Sequence, residues 1–154
     1  ADAVDATHAW VADRDVCLAL PDTLIEPADA LAQIGETLAS TGADLVLGVF
    51  PAERPEELGP VRIDADGRVR EVQDKPGTVT DGMHNTWGIA AWTPRFGALL
   101  HAAVMENPSV ILGAVYQRAI ADGMHVRAVM FERGSFIDVG TPEGLAAAFV
   151  RSRD

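Results

Sequence analysis

The chain has 154 residues, 48% apolar and 23% charged, enough for one globular domain with a real core but cramped for two. Its formal charge of −11 argues against a nucleic-acid backbone or an anionic membrane as partner, since both reward a basic surface. No stretch approaches the ~20 apolar residues that span a bilayer, and residues 1–12 lack a basic segment followed by an apolar one, so a cytoplasmic location is expected.

Ala1, Val4, His8 and Val11 recur at helical spacing and predict a helix over 1–12 that feeds an apolar strand at 16–20. The single cysteine, Cys17, lies in that strand; it rules out a disulfide framework and reads as a small core residue. Pro27, Asp29, the stripe Leu31, Ile34 and Leu38, and the exit residue Gly42 predict a helix over 28–41, the crossover of a βαβ unit. Residues 45–50 form a near-continuous apolar run, as in a strand covered on both faces. Val61-Arg62-Ile63 and Val69-Arg70-Glu71-Val72 alternate around Asp64-Ala65-Asp66-Gly67-Arg68, which predicts a hairpin with one wet face. That turn lacks the third acidic position and the closing glutamate of a calcium loop.

Residues 86–92 read as a further buried strand. Trp87 and Trp92 are five positions apart in it, so strict alternation sends them to opposite faces; at most one can line a sugar pocket, and Trp87, beside Gly88, is that candidate, a core position being its other and safer reading. Thr93-Pro94 then caps a helix with the stripe Phe96, Leu99, Leu100, Ala103 and Val104. Ser109 opens a second helix running toward Gly123, 126–131 and 135–139 read as strands, and Thr141-Pro142-Glu143 starts the last helix. The pattern is α/β: a three-layer single domain over 1–154, with helices around a mixed, mostly parallel sheet.

Two aspartates stand where an apolar strand runs out into a loop, Asp22 in Leu20-Pro21-Asp22-Thr23 and Asp138 in Ile137-Asp138-Val139-Gly140-Thr141. A pair so placed can hold one Mg²⁺ over substrate phosphates. Between them, Asp74-Lys75-Pro76 follows the alternating strand and offers an acceptor and a cation to a phosphorylated sugar. Gly140-Thr141-Pro142-Glu143-Gly144 lacks the lysine and spacing of a P-loop. His8, His84, His101 and His125 are scattered, with no pair at metal-ligand spacing, and read as surface or packing residues. A Ser/His/Asp or Cys/His set is also missing, which is awkward for a hydrolase.

In combination and in order, these segments resemble the sugar nucleotidyltransferases, the nucleoside-diphosphate-sugar pyrophosphorylases. Leu20-Pro21-Asp22-Thr23 is similar to that family's Leu-Gly-Asp-Asn, Asp74-Lys75-Pro76 to its Glu-Lys-Pro, Thr86-Trp87-Gly88-Ile89 to its glycine-bearing sugar strand, and Asp138-Val139-Gly140-Thr141 to its Asp-x-Gly-Thr. The resemblance implies a Rossmann-like nucleotidyltransferase fold and Mg²⁺-dependent transfer of a nucleotidyl group from a nucleoside triphosphate to a sugar 1-phosphate, with pyrophosphate released. It assigns Asp22 and Asp138 to the metal and Lys75 to the sugar phosphate. Asp74 would accept from sugar hydroxyls, while Gly59 and Gly88 would let backbone amides approach the ring. A sugar phosphate is already an anionic nucleophile, so alignment and charge neutralisation suffice and no dedicated base is required.

The chain departs from that pattern in three places. Asp74 stands in the glutamate position, one methylene shorter, and Leu58-Gly59-Pro60-Val61 replaces a Tyr-Gly-Val pattern, with Pro60 removing a backbone donor. The opening strand and Gly-x-Gly-x-Arg loop, which cradle the triphosphate, ought to precede Ala1. The expectation is therefore an incomplete fold carrying the metal and sugar half, inactive by itself, with the strand at 16–20 short of a neighbour and open to dimerisation. The alternative is a non-catalytic module that binds or senses a sugar phosphate.

Overall fold

The structure is a computed structural model that describes residues 1–140 and 142–151. Two one-turn helices, α1 (Asp2–Asp5) and α2 (His8–Val11), replace the single helix expected over 1–12. The break falls at Thr7, whose hydroxyl donates to the Val4 carbonyl at 2.8 Å and so competes with the helical ladder. There follow β1 (Val16–Leu18), β2 (Thr23–Glu26), α3 (Ala30–Thr41) and β3 (Leu45–Pro51). α3 buries Ala30, Ile34 and Leu38, with Leu31 of the expected stripe exposed instead, and stops where Gly42 turns left-handed, φ 64°.

The hairpin β4 (Val61–Ile63) and β5 (Val69–Val72) closes as predicted. Asp64 accepts from the N–H groups of Asp66 and Arg68 and pairs with Arg70. The Arg68 N–H, more than any other group, holds its carboxyl below the usual range, so its charge serves the turn. β6 (Asn85–Trp92), α4 (Pro94–Glu106), α5 (Leu112–Ala121), β7 (Val126–Met130), β8 (Ser135–Asp138) and α6 (Pro142–Arg151) complete the chain. Thr93 takes the N-cap position of α4 but makes no side-chain bond to that helix; its hydroxyl faces the Asp44 carbonyl at 3.4 Å. α5 begins at Leu112 rather than Ser109, because the Ser109 N–H is taken by the Asn107 side chain at 3.0 Å in a local turn. Thr141, expected to start the last helix, lies outside the described residues.

The main sheet has the order β1-β6-β3-β7. β1, β3 and β7 point the same way, and β6 runs against both β1 and β3, so only β3 and β7 pair in parallel. The path from β1 through α3 to β3 thus leaves a strand's width that β6 later fills. On one face, Leu45, Leu47, Val49, Ala90 and Trp92 pack on α4, α5 and the hairpin through Phe96, Leu100, Tyr116 and Val69. On the other, Val46, Phe50, Ile89 and Ala91 meet α3 through Ile34 and Leu38, with Phe136 of β8 against them. Each fully buried Leu, Ile or Phe contributes roughly 1.5–3 kcal/mol, so both outer layers are fixed by apolar burial.

Strict alternation fails in β6. Gly48 pairs with Ile89 and Val49 with Trp87, which leaves Gly88 as an extra residue, a β-bulge. The bulge reverses the phase of the strand upstream of it, so Trp87 joins Trp92 on the α4/α5 side instead of facing away from it. The two indoles connect through Tyr116 and Phe96.

Cys17 is exposed, not a core residue, because β1 is a three-residue edge strand that α3 covers only at its margin, near Gly35. Partial desolvation, and then the charge of Asp15, push its thiol above the ordinary 9.0. Only the thiolate is nucleophilic. Alkylation by iodoacetamide should therefore be slower than that of free cysteine at neutral pH and keep rising past pH 9; a plateau below pH 8 would contradict this.

Candidate active site

The β2–β8 ribbon positions the two aspartates. Thr23 lies opposite Asp138 in the register, and the Val139 N–H donates to the Asp22 carbonyl at 2.7 Å, which ties the two strand ends together. The Gly140 N–H donates to Asp138 Oδ1 at 2.8 Å and aims that carboxylate. A β-carbon on Gly140 would stand 2.9 Å from Asp22 Oδ2 and 3.0 Å from Asp138 Oδ1. Both oxygens therefore face one small space that exists because residue 140 has no side chain. Among the described residues neither carboxylate has an ion-pair partner. Two carboxylates converging on one space offer hard oxygen donors of the kind a Mg²⁺-type cation takes.

Lys75 lines the same cavity as the two aspartates. After β5 the chain is held by bonds from the Gln73 N–H to the Pro60 carbonyl, 3.0 Å, and from the Lys75 N–H to the Leu58 carbonyl, 2.7 Å. Lys75 has φ 43°, the one positive φ at a non-glycine among the described residues. Such a backbone costs of order 1 kcal/mol or more and persists where its surroundings over-determine it. Lys75 is also the only lysine in the chain, is exposed, and has no ion-pair partner among the described residues. Asp74 lines the same cavity, but its carboxylate leans on the first turn of α5: a β-carbon on Gly113 would lie 2.8 Å from Asp74 Oδ2. A negative charge is favourable at that helix end, which gives Asp74 a structural partner the sequence did not reveal.

The floor comes from β6 and the loop that faces it. The space a side chain at Gly59 would take is filled by the Trp87 indole, and the space at Gly88 by the Phe136 ring, whose Cε2 would lie 2.8 Å from a β-carbon there. The Gly59 N–H is already bonded to Thr86 Oγ1 at 3.1 Å. Both glycines thus make room for aromatic rings, and the Gly59 amide is already engaged. Trp87 is likewise a floor residue, its Nε1 buried without a hydrogen-bond partner. Thr86, buried, its hydroxyl accepting from the Gly59 N–H and donating to the Gly59 carbonyl, and Phe136 are cavity residues that sequence reasoning missed. A buried threonine beside two candidate glycines was the available signal.

All seven residues singled out in the sequence, Asp22, Gly59, Asp74, Lys75, Trp87, Gly88 and Asp138, line one cavity of about 390 Å³. A depression of about 510 Å³ adjoins it across Leu58, Thr86 and Phe136 but holds none of the three aspartates, and its Arg54 is paired with Glu57. No helix among the described residues is long and apolar enough to cross a membrane.

Asp22 follows β1, Asp74 and Lys75 follow β5 and Asp138 closes β8, so the ends of separate strands bring acidic groups and a lone lysine to one cavity. The chain belongs to the nucleotidyl transferase family, whose sequence profile matches residues 1–154. No curated protein matches the chain. Among solved structures, it is similar to a Bacillus anthracis protein assigned as glucose-1-phosphate thymidylyltransferase, with TM-score 0.82 and 16% identity over 100% of this chain and 61% of that one. It is also similar to a UTP-bound UGPase from Acinetobacter baumannii, with TM-score 0.79 and 19% identity over 97% and 54% of the two chains. An inositol-1-phosphate CTP transferase from T. maritima gives TM-score 0.72 and 19% identity over 92% and 55%. The chain therefore spans little more than half the length of these neighbours.

Proposed function

We propose that this chain carries the sugar-phosphate and metal side of an enzyme that joins a sugar 1-phosphate to a nucleotidyl group, releasing pyrophosphate. The observation that supports it most is the convergence of Asp22 and Asp138 on one space, in the cavity that also holds the only lysine. In this reading a phosphate oxygen of the sugar 1-phosphate attacks the nucleotide's α-phosphorus, an O–P bond forms, and the bond to the departing pyrophosphate breaks. Lys75 pairs with the sugar phosphate and holds its oxygen in line, a task for a cation of fixed position. Asp22 and Asp138 would hold Mg²⁺, which when bound offsets charge on the phosphoryl oxygens. Phe136 and Trp87 form an apolar floor that limits water beneath the reacting groups.

Calorimetry with Mg²⁺ and a sugar 1-phosphate, alongside pyrophosphate release with several nucleoside triphosphates, tests the proposal. Lys75→Gly is the informative variant, since it keeps the left-handed backbone while removing the cation. Binding of the sugar phosphate should weaken about tenfold or more, as for the loss of a charge-assisted bond of about 1.5–3 kcal/mol, while thermal stability holds or rises. Unchanged affinity in that variant would sink the role of Lys75. Binding without pyrophosphate release is the outcome expected both of this part of an enzyme and of a non-catalytic module, and release by this chain alone would refute both.

A further inference from the structure

The fold brings together two histidines that are far apart in sequence. Asp5 closes α1, His8 opens α2 three residues later, and His101 lies mid-way along α4. Both carboxylate oxygens of Asp5 stand 3.0 Å from His101 Nδ1. The ring of His8 stacks on that of His101 with parallel planes and centroids 4.1 Å apart. One ligand atom from each of the three side chains lies within 4.8 Å of the other two. The group is half buried, with the His101 side chain 42% exposed and that of Asp5 11%, so an ion has a way in and a partly dry setting.

We infer that Asp5, His8 and His101 form a divalent transition-metal site of the Zn²⁺ class, separate from the phosphate cavity. Two ligands on a tetrahedral ion with bonds of about 2.0–2.1 Å sit about 3.3 Å apart, close to the spacing that Asp5 and His101 Nδ1 already have. The ion takes the place of the proton they share, and that proton moves to Nε2 as the imidazole changes tautomer. Parallel rings cannot both aim in-plane lone pairs at one ion, so His8 must turn about its Cβ–Cγ bond. Its position at the start of a one-turn helix leaves that rotation open. Imidazole nitrogens select Zn²⁺, Co²⁺ or Ni²⁺ over Mg²⁺, whose preference is for oxygen, and water completes the fourth position. Arg14 lines the same depression, but its charge is turned to Asp13. The ion would clamp α1 to α4, and Ala1 at the head of α1 lines the phosphate cavity, so the clamp fixes one wall of it.

Co²⁺ alone, titrated into the full chain and followed by visible d–d absorption with Zn²⁺ as competitor, tests the site. One equivalent should bind with a band that Zn²⁺ abolishes. His8→Gln and His101→Ala should each lower affinity by about tenfold or more, while Asp138→Asn and His125→Ala leave it unchanged. Zn²⁺ should raise the melting temperature of the parent chain but not of His8→Gln, whose side chain is only half buried and whose fold is checked by circular dichroism. Absence of a Co²⁺ band in the parent chain, or a band that survives in both histidine variants, would overturn the proposal. Loss of Co²⁺ binding in Asp138→Asn would do so as well, by placing the ion in the other cavity.

Discussion

Asp138→Asn is expected to abolish measurable Mg²⁺ binding and to lower pyrophosphate release by about 10²–10³-fold in whatever preparation supports the reaction. The substitution is nearly isosteric and keeps an oxygen that the Gly140 N–H can reach, so the β2–β8 ribbon should survive and the melting temperature should change little. Removing one of two converging negative charges also relieves their repulsion, so stability can only gain from that term. Gly140→Ala gives an orthogonal check, because its methyl group enters the space both carboxylates face while leaving their charge intact. Calorimetric Mg²⁺ affinity equal to that of the parent chain in both variants would remove the metal role from this pair.

Gly88→Ala should be strongly destabilising. Its β-carbon would overlap the Phe136 ring and stand 3.2 Å from the Phe50 ring, inside the layer that faces α3. Overpacking of this kind costs about 1–3 kcal/mol, and the rigidity of the bulge places it at the upper end. For a chain of this length that is a fall of roughly 5–10 °C in melting temperature. Phe136 also precedes Asp138 by two residues on β8, so a displaced ring should loosen the placement of Asp138 beside Asp22 as well. A thermal melt within a degree of the parent's would show that the ring simply moves aside.

Periodicity read the layers well where one residue type dominated. The run Leu45–Phe50 and the stripe closed by Gly42 fixed β3 and α3, since burial on both faces and a left-handed stop leave few alternatives. The strand-ending aspartates and Lys75 were legible for a similar reason: charge at the end of an apolar run has to leave the core, and here it collects at one end of the sheet. What escaped were properties of pairs. An extra residue in β6 is invisible to a period-two reading, so the side Trp87 takes was missed. The exposure of Cys17 depends on how far α3 reaches over β1, and the lean of Asp74 depends on a glycine 39 positions later. The meeting of Asp5 and His8 with His101 depends on how α1 and α2 dock on α4, which no local spacing encodes.

The solitary ε-ammonium of Lys75 makes the chain self-reporting. Reagents that seek side-chain amines, such as acetylating agents or succinimidyl dyes, have one lysine target, and it is exposed and lines the cavity that Asp22, Asp74 and Asp138 also line. A single mass increment on the peptide containing residue 75, and its suppression by an occupying phosphate ester, would turn covalent labelling into a direct footprint of ligand at that wall.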